Sequence, residues 1–385
     1  MEFADELADG TKGAALPLIR GDLRLSYAQI GLLIGVPLLV GSLLEFPLGL
    51  VAGHGRRRHR LVLAGGAVVI GSLAAVAAAH SVGVLMLAFI AFFPASGAFV
   101  SLTQAALMDA APGRQQQRMA AWNLAGSAGA VGGPLLLAGV LAAGGGWRSA
   151  YLLLAAAAGA ALAAAAIAGP ARQAPAGPAE AEEDDGGRRP AVRDVLAALR
   201  TGGTARWLVL LEISDLLLDV LTGYVGIYLV DVAHASPAEA AVGVAVRLGA
   251  GLAGDALFVA IARRVSGPAA LRVSAIAACL LYPACLLVPS LPAKLVILAV
   301  LSIATACWYP VIQSGLYISL PGRSDIAVFL SSAAGLLGAA GPLAVGFIAE
   351  QAGLAWALAG LAAAPAVVLA VLPRGARSGS RKVLR

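Results

Sequence analysis

Long apolar stretches separated by short polar ones run through almost the whole chain. They lie near residues 28–52, 61–80, 82–110, 119–143, 149–170, 205–232, 238–262, 270–290, 293–320, 327–349 and 353–373. An α-helix needs about 20 apolar residues to cross the hydrocarbon core of a bilayer, and each stretch is long enough. The pattern therefore predicts an all-α membrane protein with at least eleven spanning helices.

The opening of the chain does not fit this pattern. "MEFADELADGTKGAAL" contains four acidic residues and one lysine within its first dozen positions. Hydropathy alone predicts that this stretch is a solvated tail. The alternative is a membrane helix that carries its charges into the bilayer, and an internal repeat favours that alternative.

This repeat relates the opening to the middle of the chain at an offset of 210 residues. The matched pairs are Glu2 with Glu212, Asp5 with Asp215, Asp9 with Asp219 and Ser26 with Ser236. Farther along, at slightly smaller offsets, Gln104 matches Gln313, and Gly133–Pro134 matches Gly341–Pro342. Because the second copy, "LVLLEISDLLLDVLTGYVGIYLV", is apolar enough to span a membrane, we expect the opening to be the first of twelve spans.

The repeat divides the chain into two halves of similar size. We expect six-helix halves at 1–170 and 204–373, joined by a cytoplasmic linker at 171–203 and followed by a tail at 374–385. The linker is rich in Pro, Gly, Ala and acidic residues, a composition typical of a flexible connection. Duplicated halves related by an axis along the membrane normal are a known transporter architecture.

Composition and charge agree with a multi-pass membrane protein. Hydrophobic residues make up 60% of the chain and charged residues 12%, with a mean hydropathy of +0.87. In soluble domains, hydrophobic residues make up about half of the chain and charged residues about a quarter. If the spans alternate in direction, most Lys and Arg residues fall on the side of the linker and of both termini, which the positive-inside rule makes cytoplasmic. The basic balance thus has a topological explanation, and no nucleic-acid partner is expected.

The origin of the chain is indicated only by composition. Ala and Gly are abundant and Arg is preferred over Lys, which is typical of a GC-rich bacterial genome. We therefore expect the protein to lie in the bacterial inner membrane. We also expect a monomer, with the lipid bilayer, a small-molecule or ion substrate and protons as partners.

Two segments resemble motifs of the major facilitator superfamily. "GLVAGHGRRRHRL" resembles the family's loop motif between the second and third helices; Gly49, Arg57 and Arg58 match it, while Gly53 replaces an Asp and Arg56 replaces a Gly. "GAVGGPLLLAGVLAAGGGWRSAY" resembles the fifth-helix motif frequent among antiporters of the family. The resemblance implies twelve spanning helices in two pseudo-symmetric halves that alternate access to a central site, with the loop motif taking part in the conformational change.

Two acidic helix faces carry the main functional candidates. Positions 2, 5, 9 and 12 share one face of the first span, and positions 212, 215, 219 and 222 share one face of the seventh. In the resembled fold both helices face the central cavity. The candidates for proton coupling or cation binding are Asp5, Asp9, Glu45, Asp215, Asp219 and Asp255, with Lys12 and Arg247 as charge partners.

Three interpretations of these acids stay open. They form structural salt bridges and helix caps, or they take up a proton on one side of the membrane and release it on the other, or they bind a cationic substrate directly. The scarcity of His, Cys and Met near the acids argues against soft metals, and hard cations stay open. Whether a metal ion binds is therefore unknown at this point.

Other polar and aromatic residues are candidates for a substrate cavity. Gln104 and Gln313 hold equivalent positions on the fourth and tenth spans and either bind substrate or bridge helices. Trp308, Tyr309 and Tyr317 either form an aromatic wall for an organic ligand or pack as ordinary aromatic residues.

The sequence therefore predicts a secondary active transporter that needs no cofactor. The leading hypothesis is proton-coupled export of an organic cationic or amphipathic small molecule; the alternative is transport of a metal cation or a small polar metabolite. No Ser/His/Asp, Walker or zinc arrangement supports an enzyme. A sensor or scaffold is disfavoured because no segment resembles a signalling domain.

Overall fold

The structure is a computed structural model that describes residues 2–51, 56–109, 115–168, 202–262, 264–320, 330 and 338–372. All regular structure in these residues is α-helical. The helices are α1 (Glu2–Leu23), α2 (Tyr27–Val51), α3 (Arg56–Ala77), α4 (Val82–Asp109), α5 (Gln115–Ala142), α6 (Trp147–Ala168), α7 (Gly202–Asp231), α8 (Pro237–Ile261), α9 (Gly267–Leu287), α10 (Leu291–Thr305), α11 (Trp308–Ser319), α12 (Ala340–Ala352), α13 (Leu354–Gly360) and α14 (Ala363–Val371).

The charged opening of the chain forms the helix α1 and not a tail. Most of α1 from Leu7 to Ile19 is buried, and the helix packs against α4, α5 and α6. Seven helical segments in the described residues are long and apolar enough to cross a membrane, and α1 is not among them. Its charges lower its hydropathy without removing it from the helical bundle, as the repeat predicts.

Two predicted spans are interrupted where the sequence pattern showed one continuous run. The run 293–320 divides into α10 and α11 at residues 306–307, and the run 353–373 divides into α13 and α14 at 361–362. Each break lies four residues before a proline, Pro310 or Pro365, which has no N–H to donate to that carbonyl and whose ring clashes with it. Each pair of short helices therefore forms one span with a local break.

Backbone geometry repeats between the two sequence halves. Arg24 and His234, 210 residues apart, are the non-glycine residues with positive φ among those described, at 50° and 55°. Gly144 and Gly353 have positive φ of 80° and 89° at an offset of 209 residues. A non-glycine residue with positive φ is uncommon, so matched pairs are strong evidence that the halves are structural copies.

The second helix of each half also begins in the same way. Ser26 and Gln29 form a capping box at the start of α2, with N···O distances of 3.0 Å and 3.2 Å. Ser236 and Glu239 form the equivalent box before α8, at 2.8 Å and 3.2 Å. Each box satisfies backbone N–H groups that a helix start leaves free. The repeat is thus preserved in local structure as well as in sequence.

Contacts divide the chain into two compact units that cut across the sequence halves. Unit 1 contains Met1–Arg189, Asp219–Gly249 and Gly335–Leu358. Unit 2 contains Pro190–Leu218, Ala250–Ala334 and Ala359–Arg385. The helices α7 and α8 each contribute to both units.

Close helix packing in unit 1 depends on glycine. The pairs α1 with α5, α3 with α4, and α3 with α6 pack along their lengths. A Cβ atom at Gly129 or Gly133 of α5 would overlap backbone atoms of α1, because α1 passes directly over these residues. Small residues permit such approach between membrane helices. The segment that resembles the antiporter motif therefore holds α5 against the acidic helix.

Unit 2 is organised around α9, which packs against α10, α11 and α14. Trp308 is fully buried, and its indole Nε1 donates to the Ser274 hydroxyl at 2.6 Å. Lys294 is also buried, and its ammonium donates to the carbonyl oxygens of Cys285 at 2.6 Å and Leu286 at 3.2 Å. These oxygens lie at the end of α9, where a helix has free carbonyls and favours a cation.

Candidate functional site

The acidic face of α1 forms the centre of a polar site in unit 1. Asp5 and Asp9 lie one helical turn apart, and Lys12 follows on the same face. Lys12 donates to the Asp9 carboxylate at 2.5 Å, and the Ser96 hydroxyl of α4 donates to Asp5. Glu6 is partly buried beside them. Both α1 and α4 therefore supply polar groups to one place inside a mainly apolar bundle.

The Lys12 side chain is more enclosed than the side chain of its partner, Asp9. Its ammonium lies 4.6 Å from the centre of the Phe93 ring, a cation–π contact. The Lys12 side chain is 18% exposed, whereas the Asp9 side chain is 52% exposed. Asp9 is thus paired on one side and accessible on the other, which is the arrangement that a proton or a ligand cation needs in order to reach it.

A second pair of charges approaches from α7 and α8. The Asp219 side chain is exposed, and Arg247 acts on it electrostatically. Asp9 lies within electrostatic range of Asp219 as well. We call the set Asp5, Glu6, Asp9, Lys12, Asp219 and Arg247 the polar site. It contains four acids and two bases, so it attracts cations when the acids are ionised.

The remaining candidates from the sequence lie elsewhere or outside the described side chains. In unit 2, Asp255 is exposed, Asp215 and Gln313 are partly buried, and Tyr309 is 56% exposed. Trp308 is fully buried inside unit 2, where it donates to Ser274. Gly49 belongs to α2, and the side chains of Glu45, Arg57, Arg58, Gln104 and Tyr317 lie outside the part that the structure describes.

Sequence reasoning missed three residues that contact or adjoin the polar site. Ser96 and Phe93 come from α4, and Tyr151 comes from α6, where it is buried in the electrostatic field of Asp9. Ser96 follows a pair of phenylalanines in a mainly apolar run, and Tyr151 lies one helical turn after Trp147. Nothing in the sequence shows which face of α4 or α6 packs against α1.

A second polar group joins the two sequence halves at one end of unit 1. Arg20 of α1 donates to Asp231 of α7 at 2.6 Å, and the Tyr27 hydroxyl donates to the same carboxylate oxygen at 2.9 Å. The backbone N–H of Tyr27 donates to Glu350 of α12 at 2.8 Å. We call Arg20, Tyr27, Asp231 and Glu350 the latch, because they connect α1 and α2 to α7 and α12.

The helices beside the latch are in backbone contact. A Cβ atom at Gly346 of α12 would lie 2.6 Å from the Tyr27 carbonyl oxygen and 2.8 Å from the Gly31 Cα. The Tyr224 hydroxyl fills the crossing and donates to the Pro342 carbonyl oxygen at 2.8 Å. Glycine at both positions thus permits α2 and α12 to meet.

A neighbouring ion pair connects elements of the first half only. Arg148 of α6 donates to Asp22 of α1 and, at 2.9 Å, to the Ala79 carbonyl oxygen after α3. The Trp147 indole N–H donates to Asp22 at 3.3 Å. This network fixes α1, α3 and α6 to one another and does not involve the second half.

The described residues show no group of three His, Cys, Asp or Glu side chains placed to hold a metal ion. The polar site offers pairs of opposite charge instead. Such pairs suit reversible binding of a proton or of a charged organic group, because each partner satisfies the other when the site is empty.

Comparisons with known proteins identify the architecture. Residues 3–325 match the family model of the Major Facilitator Superfamily. The crystal structure of a bacterial homolog of the human lysosomal transporter Spinster, inward-facing and unoccupied, is similar with a TM-score of 0.77 and 16% identity, covering 96% of this chain and 94% of that one. The nucleoside transporter NupG is similar with a TM-score of 0.75 and 13% identity, covering 96% of each chain.

The sequence has no match among curated proteins. The family model and the similar structures confirm the predicted fold, twelve spanning helices in two pseudo-symmetric halves, and they confirm that the protein is a multi-pass membrane transporter and not an enzyme. The chain belongs to the major facilitator superfamily.

Proposed function

We propose that the protein is a secondary transporter that exports an organic cationic or amphipathic small molecule in exchange for protons. The observation that supports this most is the Asp9–Lys12 pair, in which the carboxylate is half exposed and the ammonium is nearly enclosed. A proton or a substrate cation competes with Lys12 for Asp9. Because one carboxylate serves both, the two ligands exclude each other, and exchange follows.

The excess of acids over bases supports a cationic substrate. Asp219 adds a second carboxylate within electrostatic range of Asp9, and the positive charge of Arg247 acts on it. A flat or amphipathic organic cation has an apolar body that the surrounding helices accommodate and a charge that a carboxylate stabilises. An anionic molecule is repelled by the exposed carboxylates, and a neutral one gains hydrogen bonds from them but no charge–charge attraction.

The latch supplies the conformational part of the proposal. With both termini in the cytoplasm, the end of α1 that carries Arg20 faces the outside. Alternating access requires the halves to separate there when the site opens outward, so the Arg20–Asp231 pair must break. The Asp22–Arg148 network lies within the first half and is kept throughout the cycle.

The experiment uses the purified protein in liposomes with an acidic interior and ethidium outside as the fluorescent organic cation. We expect proton efflux to drive ethidium accumulation by the wild type and not by Asp9→Asn. The charge-neutral variant Asp9→Asn/Lys12→Gln, which leaves no unpaired lysine, shows the same loss if the fold is intact. Asp22→Asn, on the same helix but outside the polar site, retains accumulation.

Two results would overturn the proposal. Gradient-driven accumulation that survives in both Asp9 variants removes Asp9 from coupling. Accumulation of a divalent cation such as Mn²⁺, or of a nucleoside, in place of ethidium favours the alternative substrates, a metal cation or a small polar metabolite.

A further inference from the structure

Tyr151 of α6 carries a hydroxyl that the observed state does not use. The residue is 1% exposed, and none of the described residues forms a hydrogen bond with its hydroxyl. A buried polar group without a partner destabilises the state in which it occurs. The hydroxyl therefore points to another state of the site in which it has a partner.

The ring of Tyr151 is fixed, so a partner must come to it. Trp147, one turn earlier on α6, packs edge-on against it, with ring centres 6.2 Å apart and an angle of 87°. The helix α6 packs directly against α1. Asp9 on α1 is the charged side chain whose field reaches the hydroxyl. Since Asp9 is exposed on one side, its carboxylate has room to turn.

We propose that the Tyr151 hydroxyl is the second partner of the Asp9 carboxylate and donates to it when substrate is bound. In that state one Asp9 oxygen accepts from Tyr151 and the other faces the substrate cation. Tyr151 is thus a positioning residue that acts through Asp9, and this inference rests on the proposed function.

Lys12 keeps enough partners after Asp9 turns away. Its ammonium stays over the Phe93 ring and within the field of Asp5 and Glu6. From α7, Asp219 lies within electrostatic range of Asp9, and Arg247 of α8 acts on Asp219. The described side chains of α4 and α5 include no Asp, Glu, His, Lys or Arg, so these two helices add no further charge near Asp9.

The test is Tyr151→Phe, which removes only the hydroxyl. Because the observed state does not use this group, we expect the melting temperature in detergent to stay equal or rise. Substrate binding loses a hydrogen bond to a charged group, so KM for ethidium rises about tenfold. The hydroxyl acts on the substrate only through Asp9, so kcat at saturating ethidium should stay close to the wild-type value and the loss should appear in KM.

Tyr224→Phe is the matched control. Tyr224 is equally buried in unit 1, but its hydroxyl donates to the Pro342 carbonyl oxygen at 2.8 Å. We expect this variant to melt at a lower temperature and to keep the wild-type KM for ethidium. Rates are measured at a constant pH gradient while the ethidium concentration is varied, so that KM and kcat are determined separately.

The outcomes separate this inference from the proposed function. If Tyr151→Phe has the wild-type KM while Asp9→Asn abolishes coupling, Tyr151 is not a partner of Asp9 and only this inference fails. If Asp9→Asn keeps coupling, the proposed function fails. A lowered melting temperature for Tyr151→Phe with unchanged KM assigns the hydroxyl a structural role and also overturns the inference.

Discussion

Arg20 donates a hydrogen bond to Asp231, 211 positions farther along the chain, at 2.6 Å. Two residues after Arg20, Asp22 accepts from Arg148 of its own half. Two neighbouring charged residues at one end of α1 thus bind partners in different halves of the chain. The first pair links the halves and must break when they separate, whereas the second travels with one half.

Removing the first pair should favour the state in which this end is open. The Arg20 and Asp231 side chains are 26% and 20% exposed, so the pair contributes about 1 kcal/mol, and Arg20→Ala should shift the ratio of open to closed by about fivefold. The measurement is the distance between spin labels at Gly21→Cys and Ala233→Cys in a cysteine-free background, where the longer population should grow.

Arg148→Ala is the control for this shift. It removes the same charge at the same end, but it breaks contacts inside the first half. We expect a lower melting temperature and an unchanged distance distribution. Equal changes in the distance distribution for both variants would contradict the prediction that only the Arg20–Asp231 pair controls opening of this end.

The crossing of α2 and α12 leads to a second prediction, about closure of the same end. Gly346→Ala places a methyl group 2.6 Å from the Tyr27 carbonyl oxygen, and backbone atoms cannot move aside cheaply. The closed end should therefore become strained, and transport should fall at least tenfold while the open population grows. Gly71→Ala on α3, where a Cβ has nothing within 4 Å, should leave both measurements unchanged.

Lys294 leads to a third prediction, which concerns stability alone. Its ammonium donates to two carbonyl oxygens at the end of α9, and Lys294→Met leaves both without this donor. Because removal of a buried charge offsets part of the loss, we expect destabilisation by about 1–3 kcal/mol. Thermal unfolding in detergent measures it. Lys294→Arg keeps the positive charge and the hydrogen-bond donors, so it should lose less stability than Lys294→Met. An equal loss of stability in both variants would mean that the packing of the lysine side chain matters, and not its hydrogen bonds to the end of α9.

Much of the fold could be predicted because its signals are local or repeated. Asp5 and Asp9 match Asp215 and Asp219 in register, and that match identified α1 as a span where hydropathy did not. The breaks at 306–307 and 361–362 were missed because hydropathy measures side chains, whereas the break follows from the missing N–H of Pro310 and Pro365.

The polar site could be predicted only in part for a different reason. Periodicity shows that Asp9 and Lys12 share a face of α1, but it does not show that Phe93 and Tyr151 complete the site. Those contacts depend on the rotation of α4 and α6 about their axes, which packing determines. The latch was missed for the same reason, since Arg20 and Asp231 meet only through the arrangement of the two halves.

The Asp9–Lys12 pair leads to the last prediction, an order of stabilities. Removing one partner of an ion pair inside a protein leaves the other charge uncompensated, and the penalty grows with the burial of the remaining group. Lys12 is 18% exposed and Asp9 is 52% exposed. Asp9→Asn removes the hydrogen-bonded partner of Lys12 and leaves it only the Phe93 ring and the fields of Asp5 and Glu6. This variant should therefore cost about 1–2 kcal/mol after allowance for exposure, and Lys12→Gln should cost less.

The double variant Asp9→Asn/Lys12→Gln decides between a structural and a functional pair. Removing both charges together leaves neither member of the pair uncompensated, so the melting temperature should be higher than that of Asp9→Asn. Its proton-driven transport should nevertheless stay lost, since no carboxylate is left at this position to exchange a proton for a cation. Recovery of transport together with stability would show that the pair serves only to hold α1 in place.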